Sequence, residues 1–162
     1  MLFPWRILGV SALLFIATVV RAQEPPLLSK GQTLYLSIYS HVWHGNFDRR
    51  GQPTMALLST LVSIRNTDMA SPVRVLSARY YDTEGKLLKE YLPAARLIPP
   101  LGTTELFVER QDSAGGSGAN FVIKWSAERD VNPPLVEGVH LDLYSTRPVS
   151  FITTARPIVP DK

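Results

Sequence analysis

Three histidines and one glycine-rich loop hold most of the residues that could do chemistry in this chain. His41 and His44 stand three apart in YSHVWHGN (39–46), and His140 lies far downstream. Neutral imidazoles ligate zinc or copper, and three could close around one ion at about 2.0–2.2 Å. On a helix that spacing would put His41 and His44 on one face. On a strand it puts them on opposite faces unless the chain turns, and Gly45 and Asn46 offer such a turn. A zinc or copper site on His41 and His44, completed by His140 or Asp112, is therefore one reading. The other is that His41 packs with Trp43 at a strand end while His44 and His140 face solvent.

The loop is DSAGGSGAN (112–120). A phosphate cradle would need a lysine followed by Ser or Thr at the loop's end and then a helix. Here the glycines lead into NFVIKW, which alternates like a strand, and Lys124 comes too late. A nucleophile elbow would need a final glycine where Ala119 stands, and again a helix. A hydrolase built on Ser117 with His140 and Asp142 is a further alternative. It asks one strand to present His140 and Asp142 side by side on one face, which suits a surface pair better than a triad. The plainer expectation is a mobile connection between two strands. Gly115, Gly116 and Gly118 would supply the bends, and Asp112, Ser113 and Asn120 would bond nearby backbone. As a ligand-contacting loop, its candidates are Asp112, Ser113, Ser117 and Asn120, with Tyr39, His41 and His44 as companions. No catalytic residue is assigned.

The elements that must hold these residues are short and mostly of period 2. Leu34, Leu36 and Ile38 alternate with Tyr35, Ser37 and Tyr39. Leu58, Thr60, Val62 and Ile64 share one face of the next run. Phe121, Ile123 and Trp125 alternate with polar or smaller residues, and Trp125 is expected in the core. Val139, Leu141 and Leu143 alternate with His140, Asp142 and Tyr144, which puts His140 on the polar side. Runs at 73–82, 86–92, 103–111 and 150–156 complete the pattern. On the 103–111 run Glu105 and Glu109 flank Phe107 on one face, so Phe107 is exposed or covers an edge. With Tyr144 beside it, it would mark a partner surface. Turn residues separate the runs, among them the DTEG at 82–85 and the prolines at 99–100 and 133–134. Many short strands without long amphipathic helices predict an all-β domain, a single immunoglobulin-like β-sandwich of about 7–8 strands.

The chain has 162 residues, 17 Lys and Arg against 14 Asp and Glu, and no cysteine. An apolar, uncharged run from Ile7 to Val20 follows Arg6, and Val20-Arg21-Ala22 fits a signal-peptidase site. The run is shorter than the roughly 20 apolar residues of a spanning helix. The reading is a signal peptide over 1–22, a linker over 23–31, the β-sandwich over 32–157 and a short tail over 158–162. Removing 22 residues from 162 leaves 140, and Arg6 and Arg21 leave with them. Fifteen Lys and Arg then face 14 acids, and the net charge falls from +3 to +1. That balance gives no support for nucleic acid as a partner. The absence of cysteine excludes thiol catalysis, thiolate metal sites and disulfide scaffolds.

The stretches GQTLYLSIYSHVWHG, LVSIRNTDMASPVRVLSARYYDTEGKLLKEYL, LGTTELFVERQDSAGGSGANFVIKW and PLVEGVHLDLYSTRPVSF together resemble a bacterial group, domain of unknown function 3124. The resemblance spans about Gly31 to Arg156. It rests on Tyr-Ser-His, Arg-Asn-Thr-Asp, Tyr-Tyr-Asp-x-x-Gly and Gly-Gly-Ser-Gly-Ala-Asn-Phe in that order. It implies a small exported protein, often a lipoprotein in relatives, although this chain has no cysteine to carry a lipid. It implies no chemistry. Its signature positions here are Tyr39, His41, His44, Gly45, Asp112, Gly115, Gly116, Ser117, Gly118, Ala119 and Asn120. The expectation is a periplasmic or secreted, non-catalytic binding or assembly module. Its partner would be a protein or small ligand of the cell envelope, with no cofactor and no membrane span after cleavage. A zinc or copper protein is the alternative.

Overall fold

Alternation of apolar and polar residues becomes strand after strand in the computed structural model, which describes residues 27–144 and 146–159. The expected signal peptide, residues 1–22, lies outside the described residues. The described chain is all-β and contains no helix. It has twelve strands: β1 (Ser29–Ser37), β2 (His41–His44), β3 (Thr54–Leu57), β4 (Ser59–Arg65), β5 (Val73–Tyr81), β6 (Leu87–Glu90), β7 (Arg96–Ile98), β8 (Thr103–Val108), β9 (Asn120–Val131), β10 (Leu135–Asp142), β11 (Val149–Thr154) and β12 (Arg156–Ile158).

The count exceeds the expected 7–8 because four extra strands are only three or four residues long, too short to show a period: β2, β3, β7 and β12. β1 starts at Ser29, inside the expected linker, and β12 reaches Ile158, one residue into the expected tail.

The strands form three antiparallel sheets. One runs β12-β1-β9-β5-β6, with β7 also on β5; a second runs β11-β10-β4-β8; β2 and β3 make a hairpin. The inner faces of the two larger sheets share one core, which includes Leu34, Leu36 and Ile38 at β1, Val62 and Ile64 on β4, and Phe121, Ile123 and Trp125 on β9. The alternation expected for those three runs is the one observed.

Turns hold where their residue types suggest. Asp82 Oδ1 accepts the backbone N–H groups of Glu84 and Lys86, at 3.0 and 2.8 Å. Gly85 takes φ +78, a conformation that costs other residues a Cβ clash. The Arg-Asn-Thr-Asp segment is a second fastening. Asn66 Nδ2 donates to the carbonyls of Ser71, Ile98 and Pro99. Asp68 Oδ1 accepts from Ala70 and Ser71, and its Oδ2 from Asn132.

One strand departs from expectation. On β10 the inward side chains are Val136, His140 and Asp142, with Gly138 between them; Val139 and Leu141 point outward. His140 is fully buried and Asp142 is 3% exposed, whereas Leu143, beyond the strand end, is 68% exposed. His140 therefore does not face solvent.

The neighbours explain the reversal. Gly138 leaves room beside the imidazole: a Cβ there would lie 3.2 Å from His140 Cε1 and 2.9 Å from Thr153 Oγ1. His140 stacks on Phe151, with ring centroids 4.5 Å apart and planes 4° from parallel. Both its nitrogens find backbone partners. Nδ1 donates to Gly138 O at 3.1 Å, and Nε2 accepts from Tyr39 N–H at 3.2 Å, which assigns the neutral ring protonated at Nδ1. Burial holds its pKa below the ordinary histidine value, against the raising effect of the backbone hydrogen bonds. Asp142 faces Arg110, with Nε 3.6 Å from Oδ1.

Candidate functional site

The glycine loop packs against one end of the six-stranded sheet. Ile38 N–H bonds Ala119 O at 2.8 Å, and Ser40 N–H bonds Gly116 O at 3.0 Å. From the other side Thr83 donates twice to Gly115 O, through its backbone N–H and through Oγ1, each at 3.0 Å. Thr83 Oγ1 also accepts from Gly118 N–H at 3.0 Å. The loop is thus stitched to residues about 35 and 75 positions away, where the plainer expectation was a mobile connection.

The stitching explains the glycines. A Cβ on Gly115 would run into the Tyr80 hydroxyl, and would lie 2.7 Å from Ala119 Cβ and 2.8 Å from Ser40 Oγ. Gly116 has φ +75, and a Cβ there would meet Thr83 Oγ1. Beneath the loop the hydroxyls of Ser40 and Tyr80 bond each other at 3.0 Å, both almost fully buried. Burial pushes the Tyr80 pKa up, helped by the Asp112 charge and opposed by the Ser40 hydrogen bond. Tyr91, edge-on to Tyr80, is pushed up to about 12, first by burial and then by Asp112. Both phenols keep their protons at neutral pH.

The expected candidates fall into separate places. Asp112 Oδ1 accepts from Ala114 N–H at 3.3 Å, and Ser113 O accepts from Gly116 N–H at 3.1 Å, so both close the loop. Asn120 pairs through its backbone with Ser37 and Tyr81. Its side chain makes no hydrogen bond among the described residues, so the loop closure expected of that amide is carried by its backbone. Ser117 has no histidine in hydrogen-bond reach among the described residues. His140 has no nitrogen left to activate a hydroxyl. Tyr39 stands edge-on to His140 and Phe151 at 5.7 and 5.6 Å.

His41 and His44 lie in the unbroken hairpin register of β2 with β3, opposite Leu57 and Thr54. Three residues apart on one strand, they project from opposite faces. His41 packs edge-on against Trp43 at 4.9 Å, and its buried Nδ1 has no partner. Gly45, at φ +74, turns the chain only after His44. Among the described residues no three His, Cys, Asp or Glu side chains group as metal ligands do.

Sequence reasoning left Ser40, Tyr80 and Thr83 out of the site. Their signal was present: Ser40 is the middle of Tyr-Ser-His, and Tyr80 opens Tyr-Tyr-Asp-x-x-Gly. Both motifs converge on the Gly-Gly-Ser-Gly loop.

The outer face of the four-stranded sheet is the second notable surface. Phe107, Leu61, Val139 and Ile152 are direct cross-strand neighbours on β8, β4, β10 and β11. They form one apolar row across the whole sheet. Phe107 is 54% and Ile152 60% exposed, and Leu61 and Val139 between them are partly exposed. The next row on one side carries Glu105, Ser63 and Glu137, and on the other Ser59 and Ser150 flank Leu141, which extends the apolar surface. Tyr144, 86% exposed, is engaged instead by Arg110, whose guanidinium lies 5.3 Å from the ring centroid.

Fold and residues together describe an all-β domain in which Asn66, Asp68, Asp82 and Thr83 fasten backbone. The chain belongs to the family described as Protein of unknown function (DUF3124), whose model matches residues 31–158. No curated protein matches it. A solved structure, that of Thermotoga maritima 1070, is similar at 11% identity and TM-score 0.43, over 77% of this chain and 92% of that one. At those values the likeness carries no argument. Among the described residues no helix is long and apolar enough to cross a membrane.

Proposed function

We propose that this chain is an exported, periplasmic, non-catalytic binding or assembly module on an immunoglobulin-like sandwich. Its contact surface is the outer face of the four-stranded sheet. The observation that carries this reading is the reversal of β10, which buries His140 and Asp142 and turns Val139 and Leu141 outward. A sheet face that needed only solvent would take the opposite pattern. An apolar row four strands wide, widened by Leu141 and bordered by serines and glutamates, offers a flat surface on which a protein partner of the cell envelope excludes water.

A photo-crosslinking residue placed at Phe107 in the exporting cell tests it, with the same residue at exposed Met69 as control. The module reading expects a discrete adduct from position 107 and none from 69. Equal, diffuse labelling from both positions contradicts it. Fractionation of the same cells tests the address: the chain should leave with the periplasm, shortened by 22 residues.

A further inference from the structure

On the outer face of the six-stranded sheet the chain builds a hollow of about 150 Å³. Its floor is one cross-strand row, Leu97 on β7, Arg74 on β5 and Ser126 on β9. Its wall comes from a break in pairing. Between the pairs Gly31–Ser126 and Ser29–Val131, β1 spends one residue while β9 spends four. Residues 127–130 must therefore arch off the sheet. Ala127, Glu128 and Arg129 of this arch line the hollow, facing Pro72.

The charged side chains there are free of direct hydrogen bonds and ion pairs: Arg74 and Arg129 make none among the described residues, and neither does Glu128. The acid that feels Arg129 is Asp68, whose two oxygens already accept from Ala70, Ser71 and Asn132. The lining itself holds two guanidiniums and one carboxylate, and Asp68 outside it stays ionised and shares the field of Arg129, which leaves Arg74 as the guanidinium with no acid paired to it among the described residues. A guanidinium presents a planar fork that matches a carboxylate. Leu97, Pro72 and Ala127 add apolar wall beside it. A volume near that of a benzene-sized cavity limits the guest to a small molecule.

We propose that this hollow binds a small monocarboxylate with a short apolar body. Arg74 and Arg129 hold the carboxylate, the apolar wall holds the body, and Glu128 repels a second negative charge. The site lies on the opposite sheet from the contact face proposed above and stands independently of it.

Benzoate and inorganic phosphate are the probes, titrated into the isotope-labelled protein while backbone amide resonances are followed. The expected result is saturable benzoate shifts at Arg74, Ser126 and Ala127, at about millimolar affinity for a ligand of this size, with no saturable response to phosphate. Arg74→Gln and Arg129→Gln should each weaken benzoate by about tenfold or more, the worth of a hydrogen bond to a charged group. Arg74→Lys should weaken it too, since an ammonium lacks the fork. Both arginines are exposed, so the variants should keep the wild-type spectrum elsewhere. Absence of benzoate shifts at those amides overturns the proposal. So does binding unchanged in both Gln variants, or saturation by phosphate without benzoate.

Discussion

At the glycine loop, polar atoms are turned on one another. The hydroxyls of Ser40 and Tyr80 pair in the dark beneath Gly115, and Thr83 closes the loop from the side. On the outer face of the four-stranded sheet, apolar atoms are turned toward solvent, from Phe107 to Ile152. The first arrangement spends the Ser40, Tyr80 and Thr83 hydroxyls within the chain. The second leaves hydrophobic area unburied, which is what a binding surface keeps in reserve. A motif rich in Gly and Ser can therefore be a fastening, while a strand of ordinary Val and Leu can be the functional face.

The contrast can be broken by substitution. Tyr80→Ala should be the most damaging change, costing about 3–5 kcal/mol in urea unfolding, because it empties the core and orphans Ser40. Gly115→Ala should follow at about 1–3 kcal/mol, since one methyl has no room against Tyr80 and Ser40. A tolerated Gly115→Ala would return the loop to the status of a loose connection.

The next effect is a pH dependence from the inner side of β10. The folded pKa of His140 lies below the ordinary histidine value of 6.5, so the unfolded chain takes up a proton that the folded chain refuses. Stability from this group is present above pH 6.5 and is lost as pH falls toward the folded pKa. Melting temperatures across that window should fall with acidification, and His140→Gln should flatten the trend. The smallest effect is expected on the outer face, where Ile152→Ser should change stability by within about 0.5 kcal/mol. A large loss there would mean the row supports the fold rather than a partner.

The core strands were legible because Leu34, Leu36, Ile38, Phe121, Ile123 and Trp125 alternate cleanly with polar neighbours. Phe107 was legible from its flanking glutamates. β10 was not. In VHLDLY both parities are self-consistent, and polarity alone selects the wrong one. What decides is Gly138 making space, Phe151 offering a ring to stack on, and Tyr39 N–H reaching Nε2 from about 100 residues away. The glycine loop was legible as glycines but not as a fastening, since its partners Ser40, Tyr80 and Thr83 are distant in sequence. The separation of His41 from His44 could be weighed only once β2 proved to be a regular strand.

The reversal of β10 is the claim on which the contact face rests, and the chain's lack of cysteine makes it directly measurable. Val139→Cys and Val136→Cys place single thiols on opposite faces of the same strand. In the native protein a maleimide should label position 139 readily, whereas position 136, 2% exposed, should react only after unfolding. Protection at 139 with ready labelling at 136 would restore the opposite orientation and remove the proposed surface.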